Sequence, residues 1–261
     1  QIVPAIELVL QAARSPHSYT TLMEKILLQP WHLIMLVVPD FFGNPVTRNY
    51  WLGDTYIGKV TSVGLVSLFF AIGALYNKKE PLVRLFIWTA LVVLVLITAN
   101  PMSGLLYRLP IPLLSASSPT LMTFLFAFSL SVLAGFGAMT WEKANSKQQL
   151  RMMIIPIGII LTLLWIAILA LPHLSSAWLG HITTAKRNLL YSTLIATLAG
   201  AVFIFAHRTH ALRLLSRFLI LVICIGDLFF AFQKFNPFVP PSLVFPDHEV
   251  FQFLQTTGDY Q

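Results

Sequence analysis

The apolar positions of this chain gather into long uncharged runs. The clearest is 152–171, MMIIPIGIILTLLWIAILAL, with no charge and a single hydroxyl at Thr162. As a helix it rises about 30 Å, the depth of a bilayer's hydrocarbon core. No face of it is polar, so lipid is its natural solvent. Lys143, Lys147 and Arg151 precede it, while Pro172 and an almost uncharged stretch follow. Basic residues collect on the cytoplasmic side of membranes, so this span is expected to run from inside to outside.

Five further runs are read as spans: 58–76, 82–98, 121–141, 189–206 and the short 218–232, which Asp227 interrupts. The pattern predicts an all-α fold, a polytopic transmembrane bundle of about six spans with short outer-face interfacial helices and loops. Three parts are expected: an outer-face juxtamembrane segment at 1–57, the six-span bundle at 58–233, and an outer-face segment at 234–261. That last segment is expected to lead into a further C-terminal region. Within the first part, Thr21-Leu22-Met23-Glu24 has the spacing of a capping box, opening a helix that stops before Pro30. The apolar stretch 31–38 is too short to cross a bilayer and reads as an interfacial helix, with Trp31 and His32 at headgroup level. Turn residues, charges and aromatics then alternate through 39–56, a loop at the membrane surface. The stretch 100–120, broken by Pro101, Pro110, Pro112 and Pro119, is expected to lie on or dip into the outer leaflet, packed against protein. Gly135 and Gly137 are expected to let helices approach closely. Residues 174–188 read as an outer loop carrying Trp178, His181, Lys186 and Arg187, and 207–217 as an inner linker.

Composition agrees with this layout. The chain has 261 residues, of which 57% are hydrophobic and 10% charged, with mean hydropathy +0.77. Its net charge of +7 does not point to nucleic acid. The basic residues sit at the ends of apolar runs and form no stripe with interleaved aromatics. Membrane lipids, through anionic headgroups, are the expected partners. Three inner segments, 77–84, 142–151 and 207–217, hold nine Lys/Arg, against Arg108, Lys186 and Arg187 in the two short outer loops. That asymmetry is expected to put both ends of the chain on the outer side of the membrane. The single cysteine, Cys224, excludes an intrachain disulfide and a thiolate metal cluster. Beginning at Gln1 with no signal-peptide pattern, the chain is expected to be an interior piece of a longer protein.

Few residues offer chemistry. Asp227 is the one carboxylate inside a span, and its charge demands a partner or water. It is either a substrate or proton contact in an outward cavity, or a lock that caps an outer loop. Arg108 either binds a lipid phosphate with its planar fork or snorkels to the headgroups, and Lys186-Arg187 has the same two readings. Asp40, Arg48, Asp54 and Tyr56 crowd an aromatic-rich loop that suits sugar recognition or ordinary loop packing. His207 and His210, three apart at a basic helix end, suit headgroups or helix carbonyls better than a metal. Soluble-enzyme motifs are absent.

Gln1-Ile-Val-Pro-Ala-Ile-Glu-Leu with Ala13-Arg14-Ser15 resembles the "QxxPxxEL…SxR" segment of the bacterial YfhO family of membrane proteins. So do Leu36-Val-Val-Pro-Asp-Phe-Phe-Gly-Asn-Pro45 with Tyr56-Ile-Gly-Lys-Val60, and Asp227-Leu-Phe with Asn236-Pro237 and Phe245-Pro246. The chain departs at Ser115-Ala-Ser-Ser-Pro-Thr120, where family members tend to carry arginines. The resemblance implies a multi-span glycosyltransferase of the GT-C type, which moves a sugar from a polyprenyl-phosphate carrier to an acceptor outside the membrane. It implies a catalytic carboxylate upstream of Gln1, and leaves room there for a divalent cation; no cofactor is identified within the chain. Asp40, Arg48, Tyr56, Arg108, Lys186, Arg187 and Asp227 are then candidate contacts to the polyprenyl-phosphate-linked sugar. A transporter or flippase for a lipid-linked or polar substrate, and a non-catalytic scaffold for cell-envelope polymers, are the alternatives.

Overall fold

The computed structural model describes residues 17–109, 118–143, 147–174, 179–206 and 210–235, with Glu7, Pro240 and residues 249, 250 and 253 besides. Among them the regular structure is helical, apart from one isolated bridge between Leu28 and Thr98. The helices are α1 (Leu65–Gly73), α2 (Pro81–Ile97), α3 (Pro101–Tyr107), α4 (Thr123–Lys143), α5 (Lys147–Leu174), α6 (Leu179–Phe205) and α7 (His210–Phe232). Four stretches are long and apolar enough to cross a membrane: Pro119–Lys143, Arg151–Ala170, Leu179–Phe205 and Ala211–Phe235. The two apolar helices before them are shorter, at Leu65–Asn77 and Pro81–Ile97. Ile155, Ile159, Leu163 and Ile166 of α5, and Phe218, Leu221, Ile225 and Phe229 of α7, point outward. Rows of large apolar side chains on the outside fit a lipid solvent, and the pattern is that of a multi-pass helical membrane protein.

Helix α1 is the hub. Seven of its nine residues are buried, and it packs against α4, α5, α6 and α7. Its closest neighbour is α4, because Gly137 has no side chain: a Cβ there would lie 1.7 Å from the Phe70 carbonyl oxygen. Gly135, one of the two glycines expected to bring helices together, meets nothing within 4 Å, so Gly137 alone sets this approach. Around the contact, Phe70, Trp141 and Phe203 pack ring to ring at 5.2–5.8 Å.

The helix directions define two ends. At the basic end, Asn77 donates to the Thr140 hydroxyl at 2.7 Å and Arg217 meets Glu142 at 3.0 Å. The opposite end, here the loop end, gathers the start of α1, the close of α5 and α7, and the segment 30–59. Met35, Val37, Val38, Phe41, Phe42 and Tyr56 share one apolar core with α1, α5 and α6.

Several boundaries differ from the sequence expectation. The span expected at 58–76 begins in a 3-10 turn at Ile57–Lys59 and becomes α-helical only at Leu65; Thr61, Ser62, Val63 and Gly64 lie between as buried non-helical chain. Gly64 stands at φ +83°, where a Cβ would press on Leu228 at 2.9 Å, so the break is built into the packing. The outer loop expected to run to residue 188 ends at Leu179, and Lys186 and Arg187 lie inside α6. No proline separates 179 from 189, and charge alone does not stop a helix that projects past the apolar slab. The 207–217 linker is likewise helical from His210. The expected capping box does not form, because Ser18 takes the cap by accepting from the Thr21 N–H at 3.2 Å, and residues Leu22–Ile26 form a π-helical turn. The stretch expected as an interfacial helix is a 3-10 helix over Pro30–Leu36, with Trp31 half exposed and His32 wholly buried within the protein. The proline-broken stretch contains α3, capped by Asn100, whose side chain accepts from the Met102 and Ser103 N–H groups. Most residues of the first resemblance motif, with Asn236, Pro237, Phe245, Pro246, His207, Trp178 and 110–117, lie outside the described residues.

Candidate functional site

The loop 39–59 is shaped by its own backbone. Asp40 and Arg48 adopt positive φ, +57° and +54°, the left-handed region that non-glycine residues enter at a cost. Gly43, at φ +83°, lies where a Cβ would sit 2.0 Å from the Asn49 carbonyl oxygen. Asn44 holds the turn, its N–H donating to Asn49 Oδ1 at 2.8 Å and its Oδ1 accepting from the Val46 N–H at 2.9 Å. Two buried polar nodes result.

In the first, the Asp40 carboxylate accepts from the Tyr56 hydroxyl, from Asn44 Nδ2 at 3.0 Å and from Lys234 Nζ at 2.7 Å. Its carbonyl oxygen accepts from Asn188 Nδ2 on α6 at 2.5 Å. Burial, then the neighbouring Asp40 charge, pushes the Tyr56 hydroxyl well above its ordinary value, so it stays a donor. Asp40 thus fastens the loop to α6 and to the end of α7.

The second node is Asp54. Its carboxylate accepts from the Tyr50 hydroxyl, lies 2.9 Å from His32 Nε2 and lies 3.8 Å from Lys59 Nζ. Lys59 is fully buried; its ammonium donates to the Ile26 carbonyl at 2.9 Å and also to the Leu27 carbonyl. His32 Nδ1 accepts from the Gln29 N–H at 2.9 Å, so it carries no proton, and the neutral ring must be protonated at Nε2, facing Asp54. The Nε2–Asp54 contact has ion-pair distance without hydrogen-bond alignment. Burial lowers the His32 pKa, against the pull of Asp54, and burial likewise lowers that of Lys59. Nδ1 is thus taken by the backbone, and Nε2 lies buried facing Asp54.

Beside these nodes opens an apolar cleft of about 470 Å³, walled by aromatics: Trp31, Phe41, Phe42 and Trp51 face Ile168 of α5 and Ile182 of α6. Trp51 stacks on His181, centroids 5.0 Å apart. Ala185 completes the wall, and the half-buried Lys186 and exposed Arg187 follow it on α6. Arg108 belongs elsewhere. It lies over the Tyr19 ring at 5.0 Å and lines a separate cavity with Glu24, Gln29 and Asn100, which shares no residue with the first. Arg48 is exposed, its N–H bonded to the Pro45 carbonyl at 3.0 Å. Asp227 is buried and accepts from the Leu65 N–H at 2.7 Å, with Tyr191 Oη 3.5 Å away. It therefore caps α1 from another helix, satisfying a donor that a helix start leaves orphaned. The contact made is a structural one, to a helix start and not to an outer loop.

The structure thus joins Asp40 to Tyr56 and leaves Arg48, Arg108 and Asp227 apart from the cleft; on α6 the cleft is lined by His181, Ile182 and Ala185, and Lys186 and Arg187 follow along the helix outside that lining. Sequence reasoning passed over Lys59, Lys234 and Asn188 as site residues. Each charge stands at the border of an apolar run, the one signal available, and only the fold shows that it turns inward. Among the described residues no three His, Cys, Asp or Glu side chains converge on a metal position. No protein-family model, curated protein or solved structure matches the chain.

Proposed function

We propose that this chain is part of a multi-span membrane glycosyltransferase of GT-C type, which takes a sugar from a polyprenyl-phosphate carrier. In this reading α1 and α2 join the four longer helices as six spans, and the loop end faces the exterior of the cytoplasmic membrane. The observation that carries it is the aromatic-walled cleft at that end. Its volume falls in the range of small-ligand sites, and an isoprenoid chain asks for such an apolar wall. Lys186 and Arg187, the cations following Ala185, suit the carrier's phosphate. The nodes at Asp40 and Asp54 hold the wall in shape.

The transporter reading has one observation of its own. Buried non-helical chain leads into the half-length helix α1, as in the broken helices of carriers. In carriers such a helix start receives the substrate's anionic group. Here Asp227 already fills that place, which favours the transferase.

The test is sugar transfer by the full-length protein in proteoliposomes. Ala185→Trp, which fills the cleft, should lower transfer at least tenfold, and Lys186→Gln with Arg187→Gln should raise the carrier KM several-fold. Unchanged transfer in both variants refutes the assignment.

A further inference from the structure

Two hydrogen bonds hold the start of the 3-10 helix Pro30–Leu36, and both join the same pair of residues. The Gln29 N–H donates to His32 Nδ1 at 2.9 Å, and the His32 N–H donates back to the Gln29 carbonyl at 2.9 Å. The Gln29 side chain extends the tie backwards, donating to the Met23 carbonyl at 2.6 Å. The helix so fastened carries Trp31 and Ile34 into the cleft wall. One of its two fastenings works only while Nδ1 has a free lone pair.

We propose that His32 is a proton-operated latch on the apolar cleft: a proton taken up at Nδ1 breaks the Gln29 bond and frees the turn that carries Trp31 and Ile34.

The surroundings explain why the protonated ring cannot simply stay in place. The half-buried Asp54 and the fully buried Lys59 already set opposite charges 3.8 Å apart around it. Tyr50 occupies the other Asp54 oxygen as a donor and brings no charge. The remaining neighbours are rings, Trp31 at 5.9 Å and Phe42 at 6.1 Å. A second cation would share one carboxylate with the Lys59 ammonium while facing the Gln29 N–H donor. Turning the ring outward relieves both conflicts. It also pulls on Phe42, which packs on Trp51 at 5.6 Å across the cleft wall. The sign follows from burial. His32 holds its proton less readily in the closed form than in water, so acidification below the ordinary imidazole value of 6.5 favours the open form.

The latch is independent of what the cleft binds, and its test uses no substrate. The protein is produced with fluorotryptophan, placed in lipid nanodiscs and titrated from pH 8 to pH 4.5 by fluorine NMR, with Trp31→Phe assigning the Trp31 signal. The Trp31 resonance should move in a one-proton transition below pH 6.5. His32→Asn, whose Oδ1 stands at the Nδ1 position and keeps an acceptor for the Gln29 N–H at every pH, should lose that shift. A histidine-labelled sample of the unmutated protein should show His32 protonated on Nε2 alone at pH 8. A Trp31 signal that stays still over the range, a transition that survives His32→Asn, or an Nδ1-protonated ring at pH 8 each overturns the latch.

Discussion

The two ends of the bundle treat charge in opposite ways. At the basic end, Arg217 and Glu142 meet at 3.0 Å with both side chains nearly half exposed. At the loop end, Asp40, Lys59 and Asp227 are buried and each is held by several partners. An exposed pair gains little, because water serves each ion almost as well as the partner does. A buried ion has no such substitute, so removing its partner strands it. Electrostatics therefore decorates one end and builds the other.

Three substitutions sharpen that contrast when unfolding is followed in detergent micelles. Asp40→Ala takes the carboxylate from Lys234 and Tyr56 and leaves Asn44 Nδ2 only its 3.3 Å bond to the Tyr56 hydroxyl, and should cost about 3–5 kcal/mol or prevent folding. Asp227→Ala uncaps α1 at a buried N–H and should cost about 1–3 kcal/mol. Arg217→Gln should change stability by less than about 1 kcal/mol. Comparable losses at Arg217 and Asp40 would erase the distinction between the ends.

The long helices were legible because apolar runs of span length allow no other element in lipid. Charge beside such a run does not mark where its helix ends. Lys186 and Arg187 looked like the end of a loop, yet α6 passes through them, since nothing in 179–188 breaks a helix. Partners distant along the chain were invisible: Asp40 meets Lys234 and Asp227 meets Leu65 only because the bundle closes. Positive φ at Asp40 and Arg48 carries no sequence mark beyond the tolerance of aspartate for that region. The burial of His32 opposed a sound local reading. Its neighbour Trp31 does face outward, and the 3-10 pitch turns the next residue in.

The central claim is that the cleft at the loop end receives the chain of a lipid-linked substrate. Its most direct measurement is photocrosslinking of the full-length protein in membranes with a polyprenyl phosphate carrying a photoreactive group near the phosphate, followed by peptide mapping. Adducts on residues 31–52 and 181–187, competed away by unmodified polyprenyl phosphate and reduced by Ala185→Trp, are the predicted result. Adducts spread along the outward faces of α5 and α7, insensitive to competitor and to Ala185→Trp, would contradict it.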